Sequence, residues 1–233
     1  MNFSLLISKF VIVVMGMMTV IGTTLSAATS DSIKTNPAVR QAQAILDKYW
    51  ESDSVYMQVE KKVVTTLLDI ENTSSGRLMF VKGQVRIDFN EPDEQIVVIN
   101  KSHIWLAKHT TSAQKKIWQV TRMPRTRAEK QNALMALLFG DKKVWDKLKL
   151  EGVSEKGDLV SIKLKPLKPE YLPGIEKLVL IIDKAVNELR LIKQWDEIES
   201  EVQMKFTTPL FDAPYEKNFF DYSPPKGAQV TEL

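Results

Sequence analysis

The 233-residue chain contains no cysteine, and this absence excludes several kinds of chemistry at once. Disulfide bonds are impossible, so burial of apolar side chains must hold the fold together. The chain has no thiolate to serve as a nucleophile or a metal ligand. It also lacks the cysteine on which exported lipoproteins are acylated, so we do not expect the protein to be a lipoprotein itself.

Histidine and glycine are scarce, and neither forms a recognisable catalytic pattern. The two histidines, His103 and His109, are six residues apart, which is about 20 Å along a strand and too far to share one metal ion. We expect them to be surface or turn residues. The nine glycines form no phosphate-binding loop, and the chain has neither a nucleophile-elbow pentapeptide nor an HExxH motif. The acidic residues of positions 196–201 fall at a predicted turn, which is typical of a solvated edge.

No sign of charge dominates the chain either. Its 32 basic residues nearly balance its 29 acidic ones, whereas a nucleic-acid-binding protein would need a concentrated basic face. The sequence therefore predicts a protein that is not an enzyme, requires no metal or cofactor, and does not bind nucleic acid.

The amino-terminal 28 residues have the pattern of a secretory signal peptide. Lys9 supplies positive charge, residues 10–21 are almost wholly apolar, and Ser26-Ala27-Ala28 offers the small residues that signal peptidase reads. We predict cleavage near Ala28 and export of residues 29–233 to the periplasm as one soluble domain. An uncleaved membrane anchor is the alternative, but the apolar run is short for a membrane span.

An amphipathic helix is predicted to follow, beginning at Asn36-Pro37. Strands dominate the next 80 residues. A strand at 78–82 and a turn at Gly83-Gln84 lead into Val85, Ile87 and Phe89, which alternate with polar residues and so share one face. The composition of residues 72–76 and 90–93 predicts turns. Further strands are predicted at 54–70 (one long strand or two), 94–99, 103–108 and 115–120.

The period changes to that of a helix at residues 126–139, and Gly140 ends this helix. A short helix is predicted at 142–148, followed by strands at 159–164, 178–183, 188–196, 199–207 and 219–223. The fold class predicted is mainly β with some α. About ten or eleven strands form a single curved antiparallel sheet, an unclosed half-barrel covered by about three helices as a lid.

Two stretches resemble the periplasmic outer-membrane lipoprotein carrier (LolA) family, and the similarity extends over about residues 38–230. The first runs from Gly76-x-Leu78 through the corner at Pro92 to Trp105. The second is the aromatic segment 219–222, which runs into Pro224-Pro225-x-Gly227. The resemblance implies a carrier that binds acyl chains of lipoproteins and takes them from the inner to the outer membrane. It also implies two partners, an inner-membrane lipoprotein-releasing ABC transporter and an outer-membrane acceptor.

Under this resemblance, apolar residues of the sheet and of helix 126–139 line an acyl-chain cavity, although any one such residue is more often part of an ordinary core. The candidates are Val85, Ile87, Phe89, Trp105 and Trp118 on the sheet, and Leu134, Met135, Leu137, Leu138 and Phe139 on the lid. Lys82 lies where the family usually has an arginine tied to lid closure and cargo release. Lysine keeps the charge without the planar fork, and a plain solvated lysine is the alternative.

We expect a monomer. Two other functions fit the same fold: a carrier of another lipid or hydrophobic ligand, and a sensor of such a ligand.

Overall fold

The computed structural model describes Ile33 and residues 35–65, 70–90, 94–112, 115–125 and 142–233. Within these residues lie helix α1 (Pro37–Glu51), two 3₁₀ helices (Lys142–Lys147 and Pro169–Tyr171) and twelve strands. The strands are β1 (Val55–Thr65), β2 (Ile70–Val81), β3 (Gln84–Phe89), β4 (Gln95–Ile99), β5 (His103–Ser112), β6 (Lys115–Pro124), β7 (Leu148–Lys156), β8 (Leu159–Pro166), β9 (Lys177–Asp183), β10 (Glu188–Trp195), β11 (Glu201–Phe211) and β12 (Gln229–Glu232).

Helix α1 begins where the sequence predicts it. The Asn36 side-chain oxygen accepts hydrogen bonds from the backbone N–H groups of Ala38 (3.0 Å) and Val39 (3.3 Å), which would otherwise lack partners. Pro37 occupies the first turn, where its missing N–H costs nothing. The helix ends at Ser52, whose backbone N–H and hydroxyl both donate to Lys48 O. One stripe of α1 is buried, as its apolar spacing predicts.

All twelve strands belong to one sheet, in the order β12-β6-β5-β4-β3-β2-β1-β11-β10-β9-β8-β7. Strand β1 is near the middle because it pairs with β2 on one side and with β11 on the other, and this joins the two halves of the chain. Every pair is antiparallel except β12 with β6, which is parallel. Within the described residues β7 and β12 are free edges, so the sheet is not closed into a barrel.

The mainly β fold and the single large unclosed sheet are therefore confirmed. The lid of about three helices is not confirmed. Helix α1 is present, but residues 126–139 lie outside the described part of the chain. The predicted helix at 142–148 is instead the six-residue 3₁₀ helix Lys142–Lys147, and strand β7 begins at the next residue.

Two local predictions are wrong, and one strand was missed. Residues 72–76 are not a turn, since they lie inside β2 and pair with β1 from Asn72 to Gly76. Residues 219–223 are not a strand, because Phe220 is buried beneath other apolar side chains and the segment forms turns without joining the sheet. Strand β7 was not predicted. Its second half is polar and mostly exposed, so the strand lacks the alternation of apolar and polar residues by which strands are recognised.

The β2–β3 hairpin turns at Lys82-Gly83, one residue earlier than the predicted Gly83-Gln84. Gly83 has φ +80°, a conformation that costs glycine little and other residues more. A Cβ atom on Gly83 would lie 3.3 Å from the Arg125 guanidinium, so the loop also approaches the end of β6 closely. This approach links the β2–β3 hairpin to the chain that follows β6.

A face of the sheet that helix α1 leaves open

The two faces of the sheet have different neighbours. We call the face on which α1 packs the inner face and the opposite one the outer face. On the inner face, Val55 and Met57 of β1 and Leu78 and Phe80 of β2 join the buried residues of α1 in one continuous core. Side chains alternate between the two faces along each strand, and residues that pair directly across two strands lie on the same face. The strand registers therefore assign each residue of the sheet to the inner or the outer face.

Helix α1 covers only one half of the inner face. It lies closest to β8 and β10, and its Tyr49 ring packs edge-on against Phe211 of β11, with ring centroids 5.1 Å apart. Strands β10 and β5 are six positions apart in the sheet, or roughly 29 Å at about 4.8 Å per strand. A helix about 10 Å wide cannot reach across that distance. The inner sides of β3–β6 therefore extend beyond α1.

The inner side of β3–β5 presents a continuous apolar surface, which we call the apolar floor. Strand pairing arranges it in two rows, because Val85 pairs with Ile99 and Ile99 with Ile104, while Ile87 pairs with Val97 and Val97 with Leu106. The floor thus consists of Val85, Ile87, Val97, Ile99, Ile104 and Leu106. Four of these side chains are buried, whereas Val97 and Leu106 are only partly buried although they lie in the middle of the second row.

The sheet candidates predicted from the sequence do not share one face. Val85, Ile87 and Phe89 all face inward and are buried. Trp105 pairs with Val98, and Trp118 pairs with His109, in the registers that point outward. The placement of Trp105 and Trp118 beside Val85, Ile87 and Phe89 is therefore corrected: the two tryptophans belong to the outer face. The residues next to them in the chain face inward instead: Ile104 and Leu106 beside Trp105, and Ile117 beside Trp118.

The outer face is covered by the chain itself. After β11 the carboxy-terminal segment crosses it, and Phe220 is buried against Met79 and Val81 of β2. The Trp105 and Tyr222 ring centroids are 5.4 Å apart, and Arg86 donates to Phe219 O at 3.1 Å. Burial raises the pKa of the Tyr222 hydroxyl. Around Trp105 and Phe220 the apolar side chains of the outer face therefore have partners, whereas Val97 and Leu106 of the apolar floor are partly exposed.

A family model for the outer membrane lipoprotein carrier protein LolA matches residues 61–223, which include β2 to β11 and thus the whole apolar floor. The chain belongs to the LolA family. That family is associated with binding of lipoproteins or other hydrophobic ligands, and its members are generally carrier and binding proteins. No curated protein sequence matches the chain significantly.

Three solved structures are similar to this chain at low identity. An uncharacterized conserved protein from Thermus thermophilus is 18% identical, with 82% of this chain and 99% of that one covered and a TM-score of 0.48. A LolA superfamily protein from Nitrosomonas europaea is 11% identical, with 76% and 96% covered and a TM-score of 0.38. The lipoprotein LppX from Mycobacterium tuberculosis is 12% identical, with 78% and 99% covered and a TM-score of 0.40.

Lys82, the candidate for the LolA-family arginine, is an exposed loop residue. Its ammonium group donates to Asp53 at 2.9 Å, and 65% of its side chain is accessible. The hydrogen bond and the negative charge of Asp53 raise the pKa of Lys82. This ion pair connects the β2–β3 loop to the link between α1 and β1. The lid candidates for the acyl-chain cavity (Leu134, Met135, Leu137, Leu138 and Phe139) lie outside the described residues.

Arg125, which the sequence analysis did not single out, holds two loops together at this end of the sheet. Its guanidinium donates to Gly83 O (2.6 Å) in the β2–β3 loop and to Asn100 O (3.3 Å) in the β4–β5 loop. Its backbone N–H also donates to Ser102 O at 3.0 Å. Both side-chain bonds come from the same nitrogen, Nη1, so one end of the side chain ties the two loops together. The clue in the sequence is the position of Arg125 directly after a strand that ends in proline.

The titratable groups that drew attention in the sequence have ordinary partners. His103 Nε2 accepts a hydrogen bond from Arg122 at 2.8 Å, and His109 Nδ1 lies 2.6 Å from a Glu94 carboxylate oxygen. Asp196 accepts hydrogen bonds from the backbone of Ile198 and Ser200, as the first residue of a tight turn. Within the described ranges, no three His, Asp or Glu residues are arranged to hold a metal ion. None of the helices described there is long and apolar enough to cross a membrane.

Proposed function

We propose that this protein is an exported carrier that holds the acyl chains of lipoproteins against the apolar floor and takes them from the inner to the outer membrane. The observation that supports the proposal is the partly exposed middle of the floor, at Val97 and Leu106, in a member of the LolA family. A partly exposed apolar surface beyond helix α1 is suited to binding an apolar ligand.

The energetics favour a shallow surface over a tight pocket. Three long acyl chains, with roughly 45 methylenes, would cost on the order of 35 kcal/mol if exposed to water at about 0.8 kcal/mol each. Of the six floor side chains only Val97 and Leu106 are partly exposed, so their burial under a ligand recovers only a small part of that cost. The floor alone thus holds a chain weakly, and a carrier that must release its cargo needs such reversibility.

The remaining parts of the proposal come from the sequence. Residues 1–28 are a signal peptide that is removed on export, and residues 29–233 act in the periplasm as a monomeric domain. Leu134, Met135, Leu137, Leu138 and Phe139 form the opposite wall of the cavity, and Lys82 influences its opening. An inner-membrane lipoprotein-releasing ABC transporter loads the protein, and an outer-membrane acceptor unloads it.

A second candidate function is a carrier or sensor of a different lipid. One observation favours it: the inner face is not apolar throughout, because polar side chains continue the rows of the floor on β6 and β12. A ligand that has a polar end would match this change better than a ligand made of acyl chains alone.

Release of lipoproteins from membrane vesicles tests the proposal. Inner-membrane vesicles that contain a labelled triacylated lipoprotein and the releasing transporter are incubated with the protein purified after export. The proposal predicts labelled lipoprotein in the soluble fraction as a one-to-one complex with the protein. No soluble lipoprotein, together with a different lipid identified by mass spectrometry on protein purified from cells, would replace the proposal with the second candidate.

A further inference from the structure

The inner face changes from apolar to polar along the strands and toward the β12 edge. The row Ile87, Val97, Leu106 continues into Thr121 of β6 and Thr231 of β12. The next row begins with Phe89 and continues, strand by strand, into polar residues of β4, β5, β6 and β12. We call the polar end of these two rows the polar shelf, and it consists of Gln95, Lys108, Gln119, Thr121, Gln229 and Thr231.

The polar shelf forms a groove next to the apolar floor. The groove has a volume of about 450 Å³, within the range of small-molecule sites, and all six shelf residues line it. Leu106 lines it as well, so one side chain belongs to both the floor and the groove. A ligand in the groove would therefore contact the apolar floor at Leu106.

The charged side chains described at the inward-facing positions here are basic. Lys108 on the shelf and Lys61 beside it on β1 both face inward. No Asp or Glu occupies an inward-facing position in the described residues of β1–β6 and β12. The Lys61 ammonium group donates to Gln95 at 2.7 Å and lies 4.6 Å from the centre of the Phe89 ring. It thus sits at the boundary between the apolar and the polar side chains.

Two buried hydroxyls near these lysines lack hydrogen-bond partners. Ser74, which is 2% exposed, pairs with Lys61, and Thr110 lies two residues beyond Lys108 on the same inner side of β5. Neither Ser74 Oγ nor Thr110 Oγ1 makes a hydrogen bond within the described part of the protein. An unsatisfied buried hydroxyl is unfavourable, and a polar ligand group that reached it would remove this cost.

We propose that the polar shelf, with Lys61, binds the anionic head group of an amphiphile whose acyl chain lies on the apolar floor. This inference rests on the acyl-chain site that both candidate functions share, and it gives the ligand class of the second candidate: a phosphate- or carboxylate-bearing lipid. The lysines supply the charge, and the amides and hydroxyls of the shelf donate hydrogen bonds to the oxygens of the head group. The order of the rows fixes the orientation, with the chain toward β3 and the head toward β12.

Displacement of the neutral fluorophore N-phenyl-1-naphthylamine from the purified protein tests the inference. The competitors are palmitoyl-lysophosphatidylglycerol and monopalmitoylglycerol, which share one acyl chain and differ in charge, and free sn-glycerol 3-phosphate. We expect the anionic lipid to bind about tenfold more tightly than the neutral one, as two partly exposed charge contacts would provide. Free glycerol phosphate should displace nothing, because it has no chain to place on the floor.

The double variant Lys61→Gln/Lys108→Gln should bring the two lipids within about twofold of each other and leave the affinity for monopalmitoylglycerol unchanged. The matched control Lys62→Gln/Lys101→Gln removes the same charge from the outer side of β1 and from the exposed β4–β5 loop. It should keep the tenfold preference. Circular dichroism melting confirms that both variants fold.

Three results would overturn the inference. They are equal affinity of the wild type for both lipids, survival of the preference in the Lys61→Gln/Lys108→Gln variant, and competition by glycerol phosphate alone. In each case binding of the neutral lipid would leave the proposed acyl-chain function standing. Failure of both lipids to displace the fluorophore would contradict the proposed function and, with it, this inference.

Discussion

Replacing Leu106 with glutamate should weaken acyl-chain binding without unfolding the protein. Leu106 is partly buried in the second row of the apolar floor, between Val97 and Thr121. A carboxylate there must stay hydrated, so it keeps acyl methylenes away from its surroundings. Loss of two or three methylene contacts at about 0.8 kcal/mol each amounts to about 2 kcal/mol, which is roughly a thirtyfold increase in Kd.

The exposure of Leu106 makes this substitution informative. Its neighbour Ile104 is 6% exposed, and a glutamate at position 104 would be buried and would unfold the protein. At position 106 the carboxylate can reach water, so the free energy of unfolding should fall by only about 1 kcal/mol. The matched control is Leu210→Glu on β11, because the Leu210 side chain is 58% exposed and lies far from the floor in the sheet order.

The assay is displacement of N-phenyl-1-naphthylamine by monopalmitoylglycerol, with urea unfolding measured on the same samples. We expect a roughly thirtyfold loss for Leu106→Glu and less than a twofold change for Leu210→Glu. Binding within twofold of wild type in folded Leu106→Glu would refute the assignment of the floor. An equal loss in both variants would indicate a nonspecific effect of the added charge and would refute it as well.

Three further predictions concern the scaffold. Arg125→Met should lower the free energy of unfolding in urea by about 1–2 kcal/mol, because methionine has no N–H to donate to Gly83 O and Asn100 O; an unchanged midpoint would show that these two hydrogen bonds add no stability. Gly76→Ala should destabilise by more than about 2 kcal/mol, since its Cβ would clash with the Asp88 carbonyl, and a normal melting temperature would contradict this. Burial raises the pKa of Tyr49 to about 12, so this phenol keeps its proton in the folded protein after the unfolded chain has lost it. The resulting stability is present below pH 10 and falls as the pH rises toward 12, by on the order of 2–3 kcal/mol, and Tyr49→Phe should abolish that part of the pH dependence.

The sequence predicts well those elements whose structure depends only on residues close together in the chain. Val85, Ile87 and Phe89 alternate with polar residues, so their strand and their shared face were both predictable. The Asn36-Pro37 start of α1 was predictable because capping depends on the adjacent N–H groups alone.

Other features depend on partners distant in the chain. Strand β5 has apolar residues on both faces, because Ile104 and Leu106 face inward while Trp105 faces a Tyr222 that lies 117 positions later in the printed sequence. A period of two cannot say which set is inward, and this is why the tryptophans were misplaced. Likewise, Ser74 and its neighbours have the composition of a turn, yet pairing with β1 keeps them in a strand.

The polar shelf could not be predicted from the sequence either. Its residues come from four strands and meet only through the cross-strand registers, including the parallel pairing of β12 with β6. Arg125 similarly contacts carbonyls in two separate loops, and carbonyl groups carry no signal in a sequence.

Photo-crosslinking at two adjacent positions tests the central claim most directly. Benzoylphenylalanine is introduced separately at position 106, on the apolar floor, and at position 105, on the outer face one residue away. Each variant is loaded with a radiolabelled acyl lipid, irradiated and separated by denaturing electrophoresis. The account predicts a labelled protein band for position 106 and none for position 105. Labelling at position 105 alone, or equal labelling at both positions, would contradict the assignment of the inner face as the acyl-chain site.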